Sequence, residues 1–353
     1  MSPSASTHQT ELNYPQTRSF PVPVTMRDVA ERAGVSIKTV SRVVNEQGEI
    51  SEATRQSVLA VIKELRYRPN LLARGLVTQR TNTIGLVIGD IMNPFFSEVA
   101  RGVQDVARAE GYNIFLANTD SLAEDERKVL RSLADHAVDG IIIFPNSDNE
   151  ELIGELASRE QPIVLVNYLL NHGHVGLVTT DLYAGSRLAV DHLAAKGHQH
   201  IGMLAGSNLV VGNNQGRRLR GFRDGLAAHG LPDDPDYVRI SPGNMEGGRI
   251  AALAMLAQHP QITAIYAYND LLAIGALQAC QQMGRRVPDE CALIGFDDIL
   301  MASLVNPALT SVRIDKSNLG RQAMHQLLSM IRNPDQSPAP IVLGVDLVVR
   351  AST

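Results

Sequence analysis

The sequence predicts an all-α helix-turn-helix head near the N-terminus followed by an α/β core of two doubly wound parallel-sheet lobes. Three observations carry that prediction. From Thr83 onward, short apolar runs alternate with amphipathic stretches of about ten to fifteen residues, the pattern of parallel sheets covered on both faces. About ten such runs are more than one open sheet holds comfortably, so two lobes fit better than one. Ahead of residue 68 the chain has three helical runs and no strand-like run. Charge divides at the same place. Val24 to Arg80 holds ten Lys/Arg against six Asp/Glu, a net of +4, whereas residues 81–353 carry −9. A basic head on an acidic body points to a polyanion partner for the head only.

In the head, Thr25 and Asp28 form a capping pair that opens a first helix, and Gly34 supplies the left-handed residue that ends it. Ser36 caps a second helix, and Ser51 caps a third that is expected to run to about Tyr67. At about 100° per residue, Val40, Val43 and Val44 share one face of the second helix, turned toward Val29, Ala30 and Ala33. Lys38, Ser41, Arg42 and Asn45 share the opposite face, with Ile37 at its edge. That outer face is short, polar and cationic, and suits a major groove, where Lys and Arg donate to guanine. Spacing alone also admits an ordinary helical hairpin with a solvated basic face. Beyond Pro69, NLLARGL reads as a short helix before the first strand.

In the core the strand candidates are TIGLVIGD, YNIFLANTD, VDGIIIFP, QPIVLVNY, VGLVTTD, HIGMLAG, YVRI, ITAIYAYND and ALIGFDD. Folds of this kind bind ligands outside the carboxyl ends of their strands. There the sequence places Asp90, Asn118, Asn167, Asp181, Asn269 and Asp297, amides and carboxylates suited to a polyhydroxy ligand. Asp270 and Asp298 are expected to cap helices.

Other classes of function lack their signatures. No apolar run approaches the roughly 18 residues of a membrane span, and the opening MSPSASTHQTELNYPQTRSFPVPV has no signal-peptide pattern, so a cytoplasmic protein is expected. Residues 1–23, rich in Ser, Thr, Pro and Gln, are expected to be disordered. The chain has no GxxxxGK[ST], no GxSxG and no GxGxxG after a strand, so no enzyme is expected. Cys280 and Cys291 read as reduced thiols. His172, His174, His198 and His200 have no ligand spacing with Cys or carboxylates, so neither a metal nor a cofactor is expected.

The run TMRDVAERAGVSIKTVSRVVN resembles the DNA-binding head of the LacI/GalR family of bacterial transcription regulators. YRPNLLARGLVTQRTNTIGLVI resembles that family's hinge and first core strand, and NPFF, KGH, GRRLRGF, YND and GFDD follow in the family's order, so the likeness spans about residues 25–350. The resemblance implies a periplasmic-binding-protein-like core and a regulator, here a repressor, that binds a palindromic double-stranded operator as a homodimer. A small sugar-like effector would gate it. By matching position, Ile37, Lys38 and Arg42 would read bases, while Thr25, Ser36, Thr39, Ser41 and Asn45 would sit on phosphates. Leu76 would wedge into the minor groove. Phe95, Phe96, Arg218, Asn269 and Asp297 would hold the effector, joined by the strand-end residues Asn167 and Asp181.

Two departures leave the ligand open. SPGN (241–244) has no aromatic where many relatives place one, and Asn167 stands where an aspartate is common. The expected domains are an extension (1–23), a head (24–68), a hinge (69–81) and a core (82–353). In the core, lobe one would take about 82–182 and 315–341, and lobe two about 183–314 and 342–353. The competing readings are a secreted sugar-binding receptor and an enzyme on the same lobes.

Overall fold

Capping decides where each helix of the head begins and ends. A computed structural model describes residues 24–45, 48–67, 80–136, 138–145, 149–170, 173–206 and 214–353 of the chain. The chain divides between residues 79 and 80 into two compact units. In the first, α1 (Met26–Ala33) opens with Thr25 and Asp28 in a reciprocal capping box and closes on Gly34 at φ 65°. Helix α2 (Ile37–Val44) starts on Ser36, whose Oγ accepts from the Thr39 amide. Helix α3 (Glu52–Glu64) starts on Ser51 in the same way and stops earlier than the sequence suggests. Arg66 turns left-handed at φ 50°, and the Tyr67 amide donates back to the Ile62 carbonyl, which folds the Tyr67 ring onto the core. That core is Val29, Ala30, Val40, Val43, Val58, Val61 and Tyr67, with Ala33 and Val44 packed at its edge.

Among the described residues, the second unit holds two sheets of six strands. Lobe one contains β1 (Thr83–Ile88), α4 (Pro94–Ala109), β2 (Asn113–Asn118), α5 (Ala123–Asp135) and β3 (Gly140–Ile143). It continues with α6 (Glu150–Ser158), β4 (Ile163–Val166) and β5 (Val175–Thr180). Lobe two follows with α7 (Leu182–Ala195), β6 (Ile201–Gly206), α8 (Asn214–Ala228), β7 (Val238–Ser241) and α9 (Met245–Gln258). It ends with β8 (Ala264–Ala267), α10 (Asp270–Gln282), β9 (Ala292–Asp297), α11 (Leu300–Leu304) and β10 (Thr310–Arg313). The chain then returns to lobe one as α12 (Lys316–Arg332) and β11 (Ile341–Leu343), and finishes in lobe two as β12 (Asp346–Val348).

Strand order is β11-β5-β4-β3-β1-β2 in lobe one and β12-β10-β9-β8-β6-β7 in lobe two. All pairs are parallel except β10 with β12. In each sheet the first strand lies between the next two, a reversal that opens a crevice at the carboxyl ends. The apolar runs have a direct cause, since a strand covered on both faces, such as β9, is buried at every residue. Strands β10 (TSVR), β11 (IVL) and β12 (DLV) hold too few consecutive apolar residues to stand out as apolar runs. Because β11 stays bonded to β5 through Leu343, the last crossing falls at 344–345, slightly beyond the expected 341.

Helix α4, which carries the NPFF segment, is set by a reciprocal glycine contact with α12. A β-carbon on Gly102 would lie 2.0 Å from the Ser317 carbonyl oxygen, and one on Gly320 would lie 2.1 Å from the Val99 carbonyl oxygen. Backbone cannot yield as a side-chain tip does. Gly320→Ala should therefore destabilise the core by about 1–3 kcal/mol, the usual range for overpacking, seen as a lower urea midpoint with an unchanged slope.

Candidate functional site

Two groups of side chains stand apart from the packing. On α2, Val40 and Val43 are buried while Ile37, Lys38 and Arg42 are exposed, so one helix presents two opposed faces. Among the described residues neither Lys38 nor Arg42 is paired with a carboxylate. Around this face, Thr25 Oγ1 bonds Asp28, Ser36 Oγ lies 2.9 Å from Thr39 Oγ1, and Asn45 Nδ2 donates to Ser41 Oγ at 3.3 Å. These short polar groups fix the helix ends. Among the described residues Asn45 Oδ1 is buried with no partner. Leu76 lies outside the described residues.

The second group lines the carboxyl ends of the strands in the core. In lobe one, Asn93 caps α4, and the rings of Phe95, Phe96 and Phe144 meet edge to face at 5.2–6.0 Å. Phe95 and Phe144 are buried, and Phe96 is half-buried. In lobe two, α8 brings Arg218 beneath the rim, 5% exposed, with its guanidinium carbon 4.6 Å from the Tyr268 ring centre and 4.4 Å from that of Phe296. Its nearest carboxylate oxygen, on Asp297, is 3.8 Å away, beyond hydrogen-bond reach. Asp297 sits at the end of β9 with φ 100°, followed by Asp298 at φ 53°. Burial pushes the Asp297 carboxyl up to about 7, with Arg218 and Lys316 pulling the other way and Glu98 adding to the rise.

Among the described residues, two cations bond across from one lobe to the other. Lys316, at the start of α12, donates to the carbonyls of Asp297 and Asp298 at 2.7 and 2.8 Å and lies 3.6 Å from Glu98 on α4. Arg217 on α8 donates to Thr179 Oγ1 at 3.2 Å and faces Asp181 at 3.8 Å. Burial holds the Arg217 guanidinium below its usual range, partly offset by Asp181.

Several strand-end polar groups have structural work. Asn167, at φ 55°, accepts from the Thr180 amide and hydroxyl at 2.8 and 2.9 Å. Asp181 caps α7, accepting from the Ala184 amide. Asn269, not Asp270, caps α10, and its Nδ2 donates to the Gly243 carbonyl. Asp270 is instead buried, accepting from the Ile299 amide and Ser311 Oγ, and burial beside Asp297 raises it well above the usual carboxylate range. Asp298 caps no helix either, because its carboxylate is bound by Arg350 at 2.6 Å. The sequence reading missed Tyr268, Phe296, Arg217 and Lys316. The first three lie within the quoted YND, GFDD and GRRLRGF segments or next to them, whereas nothing local marks Lys316.

Among the described residues no group of three or more His, Cys, Asp and Glu is placed to hold a metal, and no helix is long and apolar enough to cross a membrane. His198 and His200 face Thr263 and Tyr237, and Cys280 and Cys291 are buried free thiols. His172 lies outside the described residues.

Residues 25–70 match the model of bacterial regulatory proteins of the lacI family, and residues 190–353 match a periplasmic binding protein-like domain. Catabolite control protein A of Priestia megaterium is 35% identical over 319 residues, covering 90% of this chain and 96% of its own. The chain belongs to the LacI family. Among solved LacI-family structures, the lac repressor dimer bound to operator and the anti-inducer ONPF has a TM-score of 0.82. It is 29% identical, covering 94% of this chain and 99% of its own. The complex of the transcriptional regulator CelR with cellobiose has a TM-score of 0.71 at 30% identity, covering 94% and 100%. Membership accounts for the pairing of a helix-turn-helix head with two parallel lobes.

A raised carboxyl makes stability depend on pH with a definite sign. Folded Asp297 holds its proton to about 7, while an unfolded aspartate loses it near 3.9, so its contribution is full below about 4 and is lost as pH rises through 7. Asp270 acts in the same direction. The core of Asp297→Asn should thus lose less thermal stability than the unsubstituted core between pH 4.5 and 7.5, measured by calorimetry in one buffer series.

Proposed function

We propose that this LacI-family chain is a ligand-responsive transcriptional repressor that acts in the cytoplasm by binding rather than catalysis. In this reading residues 24–68 read DNA, residues 69–81 form a hinge, and residues 82–353 sense a small metabolite and dimerise. The exposed face of α2 carries the proposal, for it offers Ile37, Lys38 and Arg42 on a helix whose other face is locked into the head's core. Lys38 and Arg42 read base edges in the major groove, with Ile37 beside them in apolar contact. Thr25, Ser36, Thr39, Ser41 and Asn45 bond phosphates, which sets register without conveying sequence. Leu76 enters the minor groove, where unstacking costs a few kcal/mol that added contacts offset.

One head with its hinge (residues 24–80), at a net charge of +4, makes few phosphate contacts, so tight binding calls for two. Exposed Phe115 and Leu116 on edge strand β2, and Leu300 and Leu304 on α11, suit pairing with a second copy. In the core, a sugar-like ligand lies between Phe95 and Phe96 of lobe one and Arg218 and Asp297 of lobe two. Asn167, Asp181 and Asn269 fix the walls around it, and their remaining donors and acceptors face the ligand. Closing the lobes on a ligand alters the spacing of the paired hinges, and ligand and DNA then change each other's affinity by the same factor.

Selection of random duplexes by the full chain tests the first half. It should return a near-palindromic site, and failure to enrich any sequence at low salt would reject the reading. Against the selected duplex, Lys38→Ala or Arg42→Ala should cost about 1–3 kcal/mol and relax preference at particular base pairs. Equal weakening on every sequence would make them phosphate contacts. Asp297→Ala should keep DNA affinity and lose the ligand's effect on it.

A further inference from the structure

Lobe one receives the chain at a fixed joint. The two compact units part between residues 79 and 80, and β1 begins at Thr83. In between, Thr81 and Asn82 are bound by one carboxylate, 58 and 57 residues further along the chain. The Thr81 amide and hydroxyl donate to Asp139 Oδ1 at 2.6 and 2.8 Å, and the Asn82 amide donates to Oδ2 at 3.0 Å. Asn82 holds φ 49°, a left-handed conformation that a non-glycine residue keeps only where its surroundings fix it. Here they fix it from both sides. The Asn82 carbonyl accepts from the Asn113 amide at the start of β2, and the Asp139 amide donates to the Thr83 carbonyl. Those backbone rungs alone start β1 between β2 and β3. The carboxylate does something else. Its bonds reach back to residues that precede the strand, and charge-assisted bonds to backbone amides are among the strong ones. They remove the rotational freedom of the residues through which the core passes the chain on.

Resting on the reading of the chain as a repressor that sets two heads on a near-palindrome, we propose that Asp139 is a positioning residue for DNA binding. Its clamp on Thr81 and Asn82 fixes the direction in which the chain leaves the core, and so the half-site spacing that a dimer accepts. Effective concentration supplies the reason. Once one head is bound, the second meets its half-site at a local concentration set by the length and stiffness of its tether. A fixed exit raises that concentration at one spacing and lowers it at the others, whereas a free exit spreads it over several. Asp139 directly precedes β3, an interior strand of the lobe-one sheet, so the joint turns with that lobe. In this role Asp139 touches no DNA and acts through the backbone it holds.

The test is fluorescence anisotropy of the full chain on the duplex returned by selection, and on duplexes whose halves are moved together or apart by one and two base pairs. The unsubstituted chain should bind the selected spacing at least about tenfold tighter than its neighbours. Asp139→Ala should weaken the selected spacing by about tenfold and bring all spacings within about threefold of one another. Base preferences inside each half should stay as they were, because α2 is unchanged. Asp139→Asn keeps one acceptor for Thr81 and should fall between the two. A merely structural role would lower affinity equally at every spacing or leave it alone, and either result overturns the inference. Asn82→Gly gives a second measurement that leaves Asp139 in place, since glycine adopts φ 49° freely. It should relax the spacing preference while the fold, followed by circular dichroism, stays intact. An unchanged preference in this variant overturns the inference even where Asp139→Ala does not fold. An unsubstituted chain that enriches single half-sites with no preferred spacing upholds the DNA reading and overturns this inference, whereas one that enriches no sequence rejects both.

Discussion

The ammonium of Lys316 is the contact on which the core's cleft depends. It starts a lobe-one helix, yet its bonds go to the carbonyls of Asp297 and Asp298 at the end of a lobe-two strand. Both residues have positive φ, a strain of roughly 1–3 kcal/mol each that persists only where surroundings over-determine the backbone. The surroundings do so. Ser311 Oγ accepts from the Asp298 amide, Arg350 binds its carboxylate, and Lys316 holds both carbonyls. The turn so fixed aims Asp297 at Arg218. Glu98, on the helix that carries Phe95 and Phe96, lies beside the same ammonium, so the two walls of the cleft share one charged link.

Close backbone contact gives that link its precision. The Gly102–Gly320 crossing lets α4 and α12 approach until carbonyl oxygens occupy the space of β-carbons. Helix α4 therefore carries its phenylalanines as a rigid body with the helix that bears Lys316. Displacing the lobes must move aromatic wall and lysine together, a discrete rearrangement of packed elements rather than a soft deformation.

The head shows a different economy. Among the described residues seven buried side chains form its core, and short polar residues at the helix ends do most of the remaining work. Thr25, Ser36 and Ser51 each accept from a backbone amide of the turn they start. The opposite face of α2, with Lys38 and Arg42 exposed, is left out of that core.

By itself the sequence determined whatever rests on near neighbours in the chain. Caps at Thr25, Ser36 and Ser51, the stop at Gly34, the two faces of α2 and the alternation of strands and helices all follow from interactions within about four residues. Family-specific motifs added the positions of Arg218 and Asp297. Tertiary structure alone decided what those residues meet. Asn269 rather than Asp270 became the cap because Asp270 was drawn to Ile299 and Ser311, 29 and 41 residues away. Asp298 was taken by Arg350, and Lys316 found its carbonyl partners 18 and 19 residues back, across a lobe boundary that its local sequence does not mark. Strands β10 to β12 are only three or four residues long, and their ladder partners, not their own apolar pattern, make them strands. The physical reason is common to all of these. Periodicity encodes which face is buried, while the partner of a buried charge is set by chain segments that meet only when both sheets have formed.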